Sequence, residues 1–473
     1  MKIDQQRIYK KPHFGVFSTE RHYGSSAFLR YCFLLAFLYL PIQKGLGQDL
    51  SLLEAKKLLL ENNGRYESAR LNTEKASEQK KEKKGLHYPS LDISGTYLHL
   101  QDDISIDLNA QRDMAAGLLE VEDPNALGDW SGVLQMQDFA FASANITWPL
   151  FTGGRINAAN KAAGIQLDMA EDQKYKQENE LTIQLINAYY GVKLTHELVK
   201  LRQEVLDLVK LHKNRADKFF ENGIIAEVET LNAEVALSQA ERDLSMAEKD
   251  KNLAETALKN ILNFENFDHL TTPFKIPEVL TPLNVYEEKM INDNVQMALL
   301  DKTAELAETG LKAEKSAYLP SLAAIGNYQF FNENFVLGQL DWYVGLGLEW
   351  NLFDGFQREH KINAAKLNQS QVSAMKSQVK MDLLTYTQKL YGSMEKQFKA
   401  YQSLEKEEKL AEKLKYMRDR AFEQGLGTSL EVLDATVKLS QIQFLKLQTL
   451  YEFSKTKGEL MVQIGETEEF LTK

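Results

Sequence analysis

The chain is poor in cysteine, proline and tryptophan. Of its 473 residues one is cysteine, nine are proline and four are tryptophan. The lone thiol, Cys32, lies in the first 47 residues, so the rest of the chain needs neither disulfides nor thiol chemistry. Proline is missing from 150–272 and from 321 to the end, tracts of 123 and 153 residues. These tracts are rich in Ala, Leu, Glu, Lys and Gln and predict long helices. A long apolar run is missing too: Tyr31 to Leu40 falls short of the roughly 20 residues that a membrane-spanning helix needs.

The first 47 residues carry seven Lys or Arg against two acids, then that apolar run, then Gly45-Leu46-Gly47 before Gln48. A basic start, a short apolar core and small residues predict a secretory signal over 1–47. Its long basic part points to a translation start downstream of Met1, and Arg30-Tyr31 before Cys32 does not suit a lipoprotein. Without this segment 49 basic and 65 acidic residues remain, a net charge of −16. An acidic body excludes nucleic acid as a partner, since that surface has to be basic.

Within the proline-free tracts, Leu194, Leu198, Leu201, Val205 and Leu208 alternate spacings of four and three. Leu430, Leu433, Val437, Ser440, Phe444 and Leu447 do the same, which predicts coiled-coil seams. Leu237, Ala240, Leu244 and Ala247 supply a seam of alternating size for an opposing arm. A continuous helix from Arg155 to Gly223 would be about 100 Å long, more than a globular domain of this size requires.

Four other segments alternate with period two. Leu91, Ile93, Gly95 and Tyr97 form one apolar face, and Ala142, Ala144, Ile146, Trp148 and Leu150 form a second. Leu322, Ala324, Gly326, Tyr328 and Phe330 form the third, and Val344, Leu346, Leu348, Trp350 and Leu352 the fourth. Each is predicted to be a strand with one apolar and one polar side.

The chain is also doubled. Trp148, Phe151, Gly153, Gly223 and Ala233 match Trp350, Phe353, Gly355, Gly425 and Ala435 at a constant offset of 202. Pro89-Ser90-Leu91 matches Pro320-Ser321-Leu322 at 231, so the first copy carries 29 extra residues between its strands. The insertion, within 101–138, holds Asp102, Asp103, Asp107, Asp113, Glu120, Glu122, Asp123 and Asp129 and is expected to be a solvated acidic loop with no metal site. The predicted organisation is a signal at 1–47, a first repeat at 48–262, a proline-bearing linker at 263–292 and a second repeat at 293–473. Each repeat runs helix, strand, loop, strand, very long helix, tip and returning helix.

Four strands cannot close a barrel of usable bore, and lipid does not tolerate open sheet edges. If these strands meet a membrane, several chains must share one barrel, and three would supply twelve strands. All four tryptophans, Trp130, Trp148, Trp342 and Trp350, fall in or beside the second strand of a hairpin, where interfacial girdles of membrane barrels lie. Tyr97 and Tyr328 are further candidates for that belt. The alternative is a periplasmic coiled-coil scaffold or adaptor with a soluble β domain.

The doubled order of Pro-Ser-Leu, Trp-x-Leu-Phe-x-Gly and Phe-x-x-Gly followed by an acid-rich Leu-x-Ala turn resembles the TolC family of outer-membrane efflux ducts, from about Leu52 to Gly465. The resemblance implies a mainly α fold with a β part: a trimer with a twelve-stranded outer-membrane barrel continued by a periplasmic tunnel of antiparallel coiled-coil helices. It implies an exit duct for a tripartite efflux or type I secretion system, served by a periplasmic adaptor and an inner-membrane pump of the RND or ABC type. It leaves the cargo open. On this likeness the tips at Gly223, Ile224, Ile225, Gly425, Leu426 and Gly427 are adaptor-docking sites. Glu431 and Asp434, with Glu229 and Asn232 in the first copy, line the constriction at the periplasmic mouth, where clustered carboxylates favour cations. Gly427 stands where a basic residue helps to lock the closed state in other members.

No enzyme constellation is present: there is no His-Glu-x-x-His, no Gly-x-x-x-x-Gly-Lys and no cysteine nucleophile beyond the signal, and no cofactor is expected. Thr152-Gly153-Gly154-Arg155 imitates an anion-binding turn, but its counterpart Asp354-Gly355-Phe356-Gln357 places an acid there. A strand-to-helix turn is expected at both, with Arg155 and Arg358 close to the junction of barrel and helices.

Overall fold

The long proline-free tracts become long helices, and the other elements are arranged along two of them. The structure, a computed structural model, describes residues 48–336 and 340–472; the predicted signal segment and Cys32 lie outside the described residues. Asp49 to Lys473 form one unit. The chain begins with β1 (Gln48–Leu50), α1 (Leu52–Asn62), α2 (Gly64–Gly85) and β2 (Ser90–His99). The insertion holds β3 (Ile104–Asp107), α3 (Asn109–Leu118), a 3-10 turn at Pro124–Leu127 and β4 (Ser131–Gln135). Then follow β5 (Asp138–Phe151), α4 (Arg155–Glu221), α5 (Glu227–Leu262), β6 (Phe267–Leu270) and α6 (Leu283–Asp293). The second copy continues with α7 (Val295–Lys315), β7 (Ser321–Glu333), β8 (Trp342–Glu349), α8 (Gln357–Glu423), α9 (Ser429–Gln463) and α10 (Thr467–Thr472).

Helices α4 and α8 are each 67 residues long, about 100 Å at 1.5 Å per residue. Beyond their midpoints α5 and α9 return antiparallel along them, and on the strand side α2 and α7 pack against them. The main cores lie halfway along. One joins Leu52, Ala55 and Leu59 of α1 to Leu185 and Tyr189 of α4 and to Leu258 and Leu262 of α5. The other joins Met290 of α6 to Met394 of α8 and Phe453 of α9. Tyr189 donates to the Leu50 carbonyl at 2.7 Å, and Lys56, almost fully buried, pairs with Glu178 at 2.9 Å and Glu468 at 2.5 Å. The first and last described segments and the 263–292 linker, which carries β6 and most of α6, are therefore gathered at one level.

The coiled-coil seams differ in part from the predicted ones. Leu201, Leu206, Val209 and Leu433 are buried, with Leu237, Ala240 and Leu244 packed beside them. Leu208, Leu430 and Val437, assigned to seams from spacing, are 39%, 52% and 48% exposed. A spacing of three and four marks an apolar stripe without saying which neighbour covers it. These three keep a large exposed fraction in the single chain.

The four predicted strands form one antiparallel sheet in the order β2-β5-β7-β8, and among the described residues the outer edges of β2 and β8 are unpaired. Register aligns Leu91, Ile146, Gly326 and Val344 in one rung and Ile93, Ala144, Tyr328 and Trp342 in the next of the same face. That face is apolar and largely exposed. On the other face Asp92, Asn145, Asn327 and Tyr343 align. There the Asn327 amide donates to Asn145 Oδ1 at 2.7 Å and the Asn145 amide to Ser94 Oγ at 3.3 Å.

The acids of the insertion are exposed, as expected, but the segment is folded rather than a loop. Strands β3 and β4 pair, and α3 packs against the 3-10 turn. Ala116 is buried, and the Arg112 guanidinium donates to the Gly128 carbonyl at 3.0 Å and pairs with Asp113. Its acids work locally: Asp107, Asp123 and Asp129 accept from the backbone N–H groups of Asn109, Asn125 and Ser131. Aspartates that cap turns order a segment which net charge alone would assign to solvent.

Candidate functional site

Two regions combine the features expected of a site: the belt around the sheet and the far ends of the helical hairpins. In the belt, Trp148 and Trp350 lie at the helical end, and each indole N–H donates at 3.1 Å to a backbone carbonyl, of His87 and Tyr318 respectively. Tyr97, Tyr328 and Trp342 lie towards the other end of the same face. Amphipathic rings at both margins of an apolar band suit the two interfaces of a bilayer. Trp130 does not share this belt; it precedes β4 in the insertion, and its indole donates to the Leu127 carbonyl.

At the tips, glycine decides the turn. Gly223 and Gly425 have φ of +67° and +73°, a conformation that glycine adopts without a Cβ penalty. Gly223 N–H bonds the Phe220 carbonyl and Ile224 N–H the Phe219 carbonyl, both at 2.8 Å. Gly425 and Leu426 repeat this with Phe422 and Ala421 at 3.0 and 2.9 Å. Each long helix thus ends in a Schellman motif. Ile224 and Leu426 are 57% and 80% exposed, whereas Ile225, expected outside with them, packs against Phe219, Phe422 and Val432. Val228, Leu231 and Val235 on α5, which no motif in the sequence marks, extend the exposed stripe from Ile224.

The acidic residues just beyond the tips act differently in the two copies. Thr428 and Glu431 form a capping box at the start of α9, and Glu431 Oε1 also accepts from Arg418 of α8 at 3.0 Å. Ala226, the counterpart of Thr428, cannot cap by side chain, and Glu229 Oε2 instead accepts the Ser429 N–H at 3.0 Å. Asp434 is exposed and Asn232 half-buried. Gly427 packs closely, since a Cβ there would meet Phe422 N and Glu431 Oε2 at 3.3 Å. Arg418 sets a positive charge beside Glu431.

Two further contacts, not singled out from sequence, join the hairpins here. His212 Nε2 lies 2.6 Å from Ser429 Oγ, and Arg215 pairs with Glu423 at 3.0 Å. Burial pushes the His212 imidazole below its ordinary value, with Arg215 and Lys415 pushing the same way and Asp419 opposing. At the strand-to-helix turns Gly153, Gly154, Gly355 and Phe356 all have positive φ, which supports the turn reading. Arg358 is buried there and donates to the carbonyls of Ala317 and Asn351 at 3.0 and 3.1 Å.

The sequence profile of the outer membrane efflux protein family matches residues 56–263 and 289–465. The chain belongs to that family. No curated protein sequence matches it. Among solved structures, CusC has a similar fold, with a TM-score of 0.71 at 14% identity over 88% of this chain and 92% of that one. The outer membrane protein VceC of Vibrio cholerae gives 0.68 at 15% identity over 88% and 96%. The CmeC outer membrane channel of Campylobacter jejuni gives 0.66 at 15% over 88% and 86%.

As an outer membrane efflux protein the chain places its sheet in the outer membrane and its long helices in the periplasm. No helix among the described residues is long and apolar enough to cross a membrane. The sheet of the outer-membrane part consists of β2, β5, β7 and β8.

Proposed function

We propose that three copies close a twelve-stranded barrel and a continuous helical tunnel, and that the assembly is the passive exit duct of a tripartite efflux or secretion system. The observation that carries this is the four-stranded sheet, with one apolar face, one polar face and unpaired edges at β2 and β8. A lipid-facing sheet with open edges is untenable alone, and pairing β8 of one copy with β2 of the next removes every edge. The exposed stripes at Leu208, Leu430 and Val437 then meet neighbouring helices.

In this assembly a periplasmic adaptor docks on the tips through Ile224, Leu426 and the glycine turns, and an inner-membrane pump of the RND or ABC type delivers cargo. Asp434, with Glu431, Glu229 and Asn232, narrows the periplasmic mouth and draws cations. The bonds of Glu431 and Glu229 to helix starts support a closed resting state in which these carboxylates are held in place.

The test is the state of the purified outer-membrane protein. A trimer on unheated gels that conducts ions in planar bilayers is expected; a monomer without conductance would sink the reading.

A further inference from the structure

The polar face of the sheet has an exception at its end remote from the helices. Phe139 and Phe141 lie on the same side of β5 as Ser143 and Asn145, with Phe139 opposite Leu98 of β2. Phe335, beyond β7, folds back over them, its ring 4.6 Å from Phe141 and 5.3 Å from Phe139, both stacked. The fold-back is anchored on several sides. Asn332 Oδ1 accepts the Phe335 N–H at 3.0 Å, and Gln135 of the folded insertion donates to the Asn334 carbonyl at 2.5 Å and accepts the Val336 N–H at 2.8 Å. Phe139 is 7% exposed even in one copy.

An aromatic cluster here does not serve the lipid face, which is the opposite one. On the barrel reading above, on which this inference rests, the cluster stands inside the lumen at the cell-surface end. We propose that Phe139, Phe141 and Phe335 of the three copies form an apolar constriction there, a second barrier in series with the acidic periplasmic mouth. Twelve strands lie between the eight whose interior side chains fill and the sixteen that leave an open channel, so rings from three sides narrow such a bore. A narrow apolar ring sheds water and impedes ions and charged solutes, while apolar cargo wets it and passes. The acidic mouth selects by charge and the aromatic one by hydrophobicity. The insertion, found only in the first copy, supplies through Gln135 the support that keeps Phe335 in place.

Cysteine accessibility in whole cells tests this. In a Cys32→Ser background, Asn145→Cys on the polar face is labelled from outside with a bulky, charged, membrane-impermeant maleimide. Slow labelling is expected, becoming about tenfold faster with Phe335→Ser and staying slow with Phe335→Leu, because an apolar side chain keeps the barrier. Unheated gels confirm that each variant is assembled. Equal rates for Phe335 and Phe335→Ser would overturn the constriction. Ile93→Cys, on the apolar face, separates the two readings. If it stays protected from the charged reagent while the Asn145→Cys rates are equal, the barrel stands and the constriction falls. If the charged reagent labels it as fast as Asn145→Cys, the barrel reading falls and takes the constriction with it.

Discussion

Glu229 and Ser429 stand 200 positions apart and are hydrogen-bonded, the Glu229 carboxylate accepting the first N–H of α9 at 3.0 Å. One copy of the repeat therefore caps the helix of the other. A carboxylate at a helix N-terminus satisfies an orphan donor and meets the positive end of the helix dipole. Glu229→Gln is expected to weaken the junction by about 1 kcal/mol. Faster amide exchange at Ser429 and the residues after it checks this, and unchanged exchange there refutes it.

His212 makes the same junction sensitive to acid. Its imidazole is buried against Ser429 and Phe422, and burial holds it below its ordinary value of 6.5. The unfolded or opened state then binds the proton first. Its contribution is complete above 6.5 and is lost as pH falls from there towards the lower folded value. Exchange at the tips is expected to be faster at mildly acidic pH than at neutral pH in the parent. In His212→Gln the difference should shrink; if it persists, the titrating group lies elsewhere.

The two acids of the proposed mouth are separable. Asp434→Ala is expected to lower cation selectivity in single-channel recordings without loosening α9. Glu431→Ala should lower selectivity and also cost about 1 kcal/mol of local stability, because it removes half of the capping box. Unaltered selectivity in the double variant rules out these carboxylates as the lining.

At the tips, Ile224→Asp with Leu426→Asp is expected to abolish export while trimers still assemble, because both side chains are exposed in the hairpin. Ile225→Asp should instead destabilise, since Ile225 belongs to the small core with Phe422. Normal export by the double variant would remove docking from these positions.

Gly153 and Gly154 are neighbours of unequal tolerance. A Cβ on Gly153 would lie 2.7 Å from the Ser316 carbonyl oxygen, whereas Gly154 has open space around it. Both have positive φ, so Gly154→Ala costs about 1–3 kcal/mol in backbone strain. Gly153→Ala adds the collision and is expected to prevent assembly on unheated gels. Equal yields of trimer would contradict this.

Much of the fold was legible because it is periodic. The 67-residue helices, the strands with their faces and the glycine tips all follow from spacing, proline avoidance and an offset of 202. What was misread lacks a period. The insertion at 101–138 reads as acid-rich loop until Asp107, Asp123 and Asp129 are seen capping its turns. Ile225 reads like Ile224, and only packing separates them.

The sequence by itself determined the type, length and repeat of the periodic elements, since these depend on residues near one another in the chain. Tertiary structure alone decided which copies touch. Glu229 on Ser429, His212 beside it, Arg418 on Glu431 and Phe335 on Phe141 are pairings between elements. Such contacts leave no spacing in one chain, because the geometry that creates them is set by how whole helices and strands pack.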